Sequence, residues 1–86
     1  MNFDFSNKVV LVTGWFGGIG LATAKMFKEC GANVAISDIN PDTPKVAKEL
    51  GMLGLVVDVS NEEQVKSMVE IVVKEYGTLD IAYNNV

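Results

Sequence analysis

Thr13-Gly14-Trp15-Phe16-Gly17-Gly18-Ile19-Gly20 lies between the run Lys8-Val9-Val10-Leu11-Val12 and a stretch of helical period that begins near Ile19. A glycine-rich turn joining a strand to a helix is how a doubly wound fold receives a dinucleotide pyrophosphate. The glycines permit a tight turn and close backbone approach. The helix N-terminus then points its N–H groups and positive dipole end at the phosphates. Such a turn alone is a weak signal. Its weight depends on whether the chain supplies the rest of a nucleotide site at the right places.

Outward from the turn, short β-branched runs at residues 9–12, 34–37, 55–57 and 81–83 alternate with segments of helical period. Ile19, Ala22, Thr23, Met26, Phe27 and Cys30 share one helical stripe, and Val65, Met68, Val69, Val72, Val73 and Tyr76 share another, each suited to packing on a sheet. Gly31 and Gly77 follow these helices at positions that favour a left-handed residue. Ser60-Asn61-Glu62-Glu63 reads as a capping box, and Thr43-Pro44 as an N-cap followed by proline, opening a short helix that ends before Gly51. The order is β-α-β-α-β-α-β. The strands are continuously apolar rather than alternating, which implies a parallel sheet buried on both faces. The predicted class is α/β, a partial Rossmann-type doubly wound parallel sheet with right-handed crossovers and strand order 3-2-1-4. Residues 1–86 form one such unit, with no linker or repeat.

Composition narrows the function. With 49% hydrophobic and 21% charged residues the chain is globular rather than disordered. A net charge of −4 offers no footprint for nucleic acid. No run reaches the roughly 18 apolar residues of a membrane span, and Met1-Asn2-Phe3-Asp4-Phe5 does not read as a secretory signal. One cysteine, Cys30, and no histidine exclude an internal disulfide framework and zinc-ligand spacing. A cytoplasmic location fits best.

The remaining parts of a nucleotide site fall in order. Asp38 ends strand two, close to the position about 20 residues on where a carboxylate accepts from the adenosine ribose hydroxyls. Asp58 ends strand three and Asn84-Asn85 end strand four. All lie at C-terminal strand ends, where open α/β sheets bind ligands. A carboxylate at Asp38 repels a 2′-phosphate. Ile39-Asn40 follow it, and no Lys or Arg lies in the turn, so NAD is favoured over NADP.

Thr13-Gly14-x-x-x-Gly18-Ile19-Gly20, then Asp38, then Asp58-Val59, then Asn84-Asn85 resemble the short-chain dehydrogenase/reductase family, over essentially the whole chain, as the N-terminal part of that family's single domain. The resemblance implies that the turn and following helix hold the pyrophosphate and that Asp38 holds the adenosine ribose. It implies that Asp58 contacts the adenine amino group, with Val59 beside the ring. The Asn pair would support the central strand and line the adenosine side. Thr13 is expected to tie the turn to strand four. The candidate cofactor-binding residues are Gly14, Phe16, Gly17, Gly18, Ile19, Gly20, Asp38, Ile39, Asp58, Val59 and Asn85. Gly14-x-x-Gly17-x-x-Gly20 also has the spacing of the family's extended branch, but Gly18 and Asn84-Asn85 decide against it. Two departures stand out. Val86 replaces the alanine that usually follows the Asn pair. Trp15-Phe16 stand where small residues are common, and they could point outward, stack near the adenosine, or obstruct it.

The resemblance places catalysis on a Tyr-x-x-x-Lys pair, an upstream Ser and an Asn, all beyond residue 86. Neither Tyr76 nor Tyr83 has a lysine four residues on, so no catalytic residue is assigned and the chain reads as a fragment of a reductase. Residues 81–86 would then form an unprotected apolar edge that favours self-association or pairing with a complementary fragment. The expected function is the NAD-binding portion of an oxidoreductase that moves a hydride between a nicotinamide and an alcohol or carbonyl. A non-catalytic nucleotide-binding or interaction module is the alternative. Another Rossmann enzyme, a methyltransferase or flavoprotein, fits the turn less well. Plainer roles stay open for single residues: Asp58 as a cap before a helix, the Asn pair as partners of backbone groups, Cys30 as a buried inert thiol.

Overall fold

The computed structural model describes residues 4–85. Seven elements follow the expected alternation: β1 (Val9–Thr13), α1 (Ile19–Glu29), β2 (Asn33–Asp38), α2 (Thr43–Glu49), β3 (Leu53–Val56), α3 (Glu62–Tyr76) and β4 (Ile81–Asn84). The strands form one parallel sheet in the order β3-β2-β1-β4. Val10 and Val12 of β1 and Val34 and Ile36 of β2 face α1 and α2, packing with Ala24 and Ala47. Val9, Leu11 and Ala35 face the other way, onto Met68 and Val72 of α3. This two-sided burial is why β1 and β2 are continuously apolar. Fully burying each large aliphatic side chain stabilises by about 1.5–3 kcal/mol, whereas a helix cap is worth about 1 kcal/mol. The central strands therefore decide the architecture, and the caps only set where helices begin.

The helix stripes differ from expectation in phase and width. In α1 the sheet-facing residues are Gly20 and Ala24, with Phe27 half-buried, while Ile19 and Met26 are exposed. The reason is steric. A Cβ on Gly20 would strike the Gly14 carbonyl oxygen and come within 2.8 Å of the Trp15 Cα, so the helix is rotated to bring its smallest residue under the turn. Cys30, expected to be buried, is half-buried at the end of α1. In α3 only Met68 and Val72 are fully covered, and Val69 and Val73 reach solvent because no second helix flanks α3 among the described residues.

Both predicted caps shift by one residue. Asn61, not Ser60, is the N-cap of α3, and its side chain accepts from the Gln64 N–H at 3.1 Å. Ser60 is already spent in the preceding loop on Asp58. Asp42, not Thr43, precedes α2, so Thr43 opens the helix and its hydroxyl serves elsewhere. Gly77 closes α3 at φ +87°, as its position implied. Strand three runs earlier than expected, so Asp58 sits in the loop beyond it rather than at its last residue.

β4 is an edge strand with Ala82, Tyr83 and Asn84 exposed. The Val86 end of the expected edge and Met1-Asn2-Phe3 of the N-terminus lie outside the described residues. No helix among the described residues is long and apolar enough to cross a membrane.

Replacing Gly20 by Ala tests the packing under the turn. Alanine in an open helix position is favoured over glycine by about 1 kcal/mol. Here overpacking should win, with a net loss of about 1–3 kcal/mol in urea unfolding. Stability equal to the wild type would mean that the turn has room to spare.

Candidate functional site

The turn after β1 is held from both sides. Gly14 takes φ +73°, and a Cβ there would run into the Asn85 carbonyl oxygen. Its N–H donates to the Ser37 carbonyl of β2 at 2.8 Å. From the other side, the Asn85 side-chain amide donates to the Gly14 carbonyl at 2.9 Å, and the Asn85 N–H to the Thr13 carbonyl at 3.0 Å. Thr13 Oγ1 donates to Asn84 Oδ1 at 2.9 Å, so the threonine ties the turn to β4 as expected. The two asparagines thus satisfy groups of the turn while also lining the cavity beside it.

That cavity has a volume of about 510 Å³ and lies at the C-terminal ends of the strands. It brings together Gly14, Asp38, Ile39, Asp58, Val59 and Asn85 of the candidate residues. Thr13, Val57, Val65, Met68 and Asn84 complete the wall. Val65 and Met68 entered the sequence reading only as core positions of a helix. Their second role follows from the α3 N-terminal half standing against the loop after β3, which periodicity does not report. Among the described residues no Lys or Arg lines the cavity, and its two charged groups are the carboxylates of Asp38 and Asp58.

The remaining candidates fall outside the wall. Phe16, Gly17, Gly18 and Ile19 are exposed. Gly20 is buried beneath the turn, which makes it a packing residue. At Gly17 and Gly18 an added Cβ would meet nothing within 4 Å, so this stretch of backbone borders open space. Gly18 precedes α1 with no side-chain cap, and no acidic residue stands in the first turn. The Leu21 N–H of that turn is taken by the Trp15 carbonyl at 3.1 Å, but no side chain offsets the positive end of the helix, a condition that favours an anion.

Trp15 and Phe16 separate. Trp15 is 6% exposed and belongs to the core cluster with Val12, Ile36 and Ala47, so it does not stand over the cavity. Its indole N–H donates to Thr43 Oγ1 at 2.6 Å. A buried indole needs such a partner. Phe16 is 65% exposed, and its ring meets the Trp15 ring edge-on at 5.5 Å.

Both cavity carboxylates are oriented by nearby backbone. Asp38 Oδ1 accepts from the Asn40 N–H at 2.9 Å, and Oδ2 from the Phe16 N–H at 3.4 Å. Asp58 Oδ1 accepts from the Ser60 N–H at 3.0 Å and the Ser60 hydroxyl at 2.7 Å. These two bonds, the hydroxyl's foremost, hold the Asp58 carboxyl below the usual carboxylate range. The Asp58 N–H in turn donates to Gln64 Oε1 at 2.8 Å, fixing the loop to the first turn of α3. Tyr76 is remote from this wall. Its hydroxyl lies 3.4 Å from the Val34 carbonyl, and burial, then the Glu75 charge, push the phenol up. Among the described residues no group of three or more potential metal ligands is assembled.

With this geometry in hand, similarity to known proteins can be stated. Residues 8–86 match the profile of the short chain dehydrogenase family. The chain is 43% identical over 81 residues to tropinone reductase-like 2 from Erythroxylum coca, covering 91% of this chain and 30% of that protein. It is 44% identical over 90 residues to (+)-cis,trans-nepetalactol synthase NEPS1 from Nepeta racemosa, covering 100% of this chain and 33% of that protein. A crystal structure of a short chain dehydrogenase from Mycobacterium smegmatis superposes with a TM-score of 0.87 at 32% identity, over 99% of this chain and 40% of that one. The chain spans about a third of the length of the curated relatives it matches.

Ser60→Ala should raise the Asp58 pKa toward the usual carboxylate range, read by NMR titration of the carboxyl. The sign for stability follows from linkage. A carboxyl held lower in the folded chain contributes stability that is fully present above its unfolded pKa and lost as pH falls through the folded one. The Ser60→Ala variant should therefore lose less stability than the wild type on acidification. An unchanged Asp58 titration would show that the serine does not hold the carboxylate.

Proposed function

The chain belongs to the short-chain dehydrogenase/reductase family, and from that membership we propose that it is the cofactor-binding part of a nicotinamide-dependent oxidoreductase, with residues 1–86 forming part of one Rossmann-type domain. The observation that carries this reading is the cavity at the strand ends, where an oriented Asp38 carboxylate shares a wall with Gly14 and Asn85, the residues against which the start of α1 packs. The residues fit a dinucleotide. Asp38 would accept from the adenosine ribose hydroxyls, and Asp58 from the adenine amino group, with Ile39 and Val59 against the ring faces. Gly14, Gly17 and Gly18 leave the space a pyrophosphate needs, and the N-terminal turn of α1, from Ile19, would face its charge. Asn85 keeps the turn in shape, Gly20 lets the helix lie close beneath it, and Phe16 flanks Asp38 from outside. Bound there, the nicotinamide would supply or accept the hydride exchanged with an alcohol or carbonyl. No residue of this chain is assigned to the proton.

We read the site as selective for NAD over NADP. Two unit charges 4 Å apart repel by about 1 kcal/mol even in bulk water, and a 2′-phosphate carries nearly two. Beside Asp38, with no cation in the wall, that amounts to roughly 2 kcal/mol, more than tenfold in affinity. The exposed β4 edge would serve self-association or the pairing of a complementary segment. A cytoplasmic location is the reading that the sequence favours.

Trp15 is the single tryptophan and belongs to the turn, so its emission can report on cofactor binding. Titration of the purified protein should give a saturable response, with NADH binding about tenfold or more tighter than NADPH. Asp38→Asn, which removes the charge and keeps the shape, should narrow that gap to about threefold or less. A folded sample that binds neither dinucleotide by calorimetry would sink this reading.

A further inference from the structure

Trp15 stands in the turn, yet its side chain is spent on a different loop. Its indole N–H donates to Thr43 Oγ1 at 2.6 Å. Thr43 is fully buried at the start of α2, and its own hydroxyl hydrogen goes to the Asn40 carbonyl at 2.7 Å. The Asn40 N–H donates to Asp38 Oδ1 at 2.9 Å. Asp38 Oδ2 accepts from the N–H of Phe16, the residue next to Trp15, at 3.4 Å. The chain of contacts therefore closes on itself: turn, start of α2, loop after β2, carboxylate, turn. Each link has a set direction. The hydroxyl has one hydrogen, and Asn40 takes it, so the oxygen meets the indole only as an acceptor. The Phe16 ring, set edge-on against Trp15, further restricts the peptide whose N–H meets Asp38.

We propose that the buried Trp15–Thr43 pair is a positioning device that locks the loop after β2 to the glycine turn and so holds the Asp38 carboxylate where it selects an unphosphorylated ribose. The clause on ribose selection rests on the cofactor reading above; the lock itself does not. Neither residue touches the ribose. They act through Asn40 and through the turn; without either partner the loop keeps only its own bonds, from the Thr43 N–H to the Asn40 carbonyl at 3.2 Å and from the Asp42 N–H to Asn40 Oδ1 at 2.8 Å, and the carboxylate gains room to move away from a 2′-phosphate. A solely structural pair would add stability without any bearing on which dinucleotide is preferred.

Thr43→Val keeps the volume of the side chain and removes the hydroxyl, and Thr43→Ser restores it. The first readout is amide hydrogen exchange in the protein without cofactor. In Thr43→Val the Asn40 and Phe16 amides should exchange about tenfold faster, with the β1 amides as protected as in the wild type. The second is the ratio of NADPH to NADH dissociation constants, measured by calorimetry. It should fall by about threefold or more in Thr43→Val and recover in Thr43→Ser. Trp15→Phe removes the N–H, keeps an aromatic core side chain, and carries the same two readouts should Thr43→Val fail to fold. Exchange at Asn40 and Phe16 that matches the wild type overturns the proposal. So does faster exchange with an unaltered ratio. A wild-type protein that binds neither dinucleotide defeats the cofactor reading, and the exchange measurement still decides the lock.

Discussion

At the C-terminal edge of the sheet, three backbone segments cross in contact: the turn after β1, the start of α1 and the end of β4. The crossing has room only because residues 14 and 20 carry no side chains. The Asn85 carbonyl fills the space a Cβ on Gly14 would need, and the Gly14 carbonyl fills the space a Cβ on Gly20 would need. From that approach the rest of the upper edge follows. It sets the rotation of α1, packs the start of that helix against Gly14 and Asn85 of the cavity wall, and brings the end of β4 near enough for Asn84 and the following Asn85 to bind the turn. Steric contact of this kind is steep. Overpacking costs of order 1–3 kcal/mol, a large share of a small domain's net stability of roughly 5–15 kcal/mol.

The two faces of the sheet are covered unequally. Among the described residues one carries α1 and α2, and the other α3 alone. α3 buries Met68 and Val72 yet leaves Val69, Ile71 and Val73 in solvent, and Tyr83 of β4 is exposed as well. Apolar residues that are periodic but uncovered mark surface suited to a further contact. The same inequality explains why the helical stripe of α3 is wider in the sequence than in the packing. A stripe records every surface a helix can present, whereas burial records only the neighbours it meets.

Strand order, parallel pairing and the aspartate at the end of β2 were legible because each depends on short local patterns. Runs such as Val9-Val10-Leu11-Val12 suit a strand buried on two faces, and the spacing from the turn to Asp38 is nearly constant for a βαβ unit. The rest depended on competition between neighbours. Ser60 and Asn61 can both cap a helix, and the choice fell to Asn61 because Asp58 captured the serine first. In α1 the apolar residues alone suggested a stripe through Ile19 and Met26, but glycine has no weight in a hydrophobic count, and Gly20 set the phase. Trp15 looked like an intruder in a turn of small residues. Its burial required a hydroxyl from the first residue of α2, 28 positions away in the chain, and no local pattern announces such a partner.

Asp38 and Asp58 share a device that bears on affinity. Asp38 ends β2 and Asp58 stands two residues beyond β3, and each accepts from the backbone N–H two residues on, through the same Oδ1 atom, at 2.9 and 3.0 Å. A carboxylate held in this way loses little freedom when it accepts a ligand's hydrogen bond. A free one would give up about 0.5–1.5 kcal/mol in ordering. The two differ in what holds the second contact. Asp58 is secured within its own loop, by Ser60, and its loop by Gln64. Asp38 is secured from another element, by the Phe16 N–H of the glycine turn. The placement of Asp58 is thus a local property of one loop. The placement of Asp38 is tied to the conformation of the turn, so any change that moves the turn also moves the contact that holds this carboxylate.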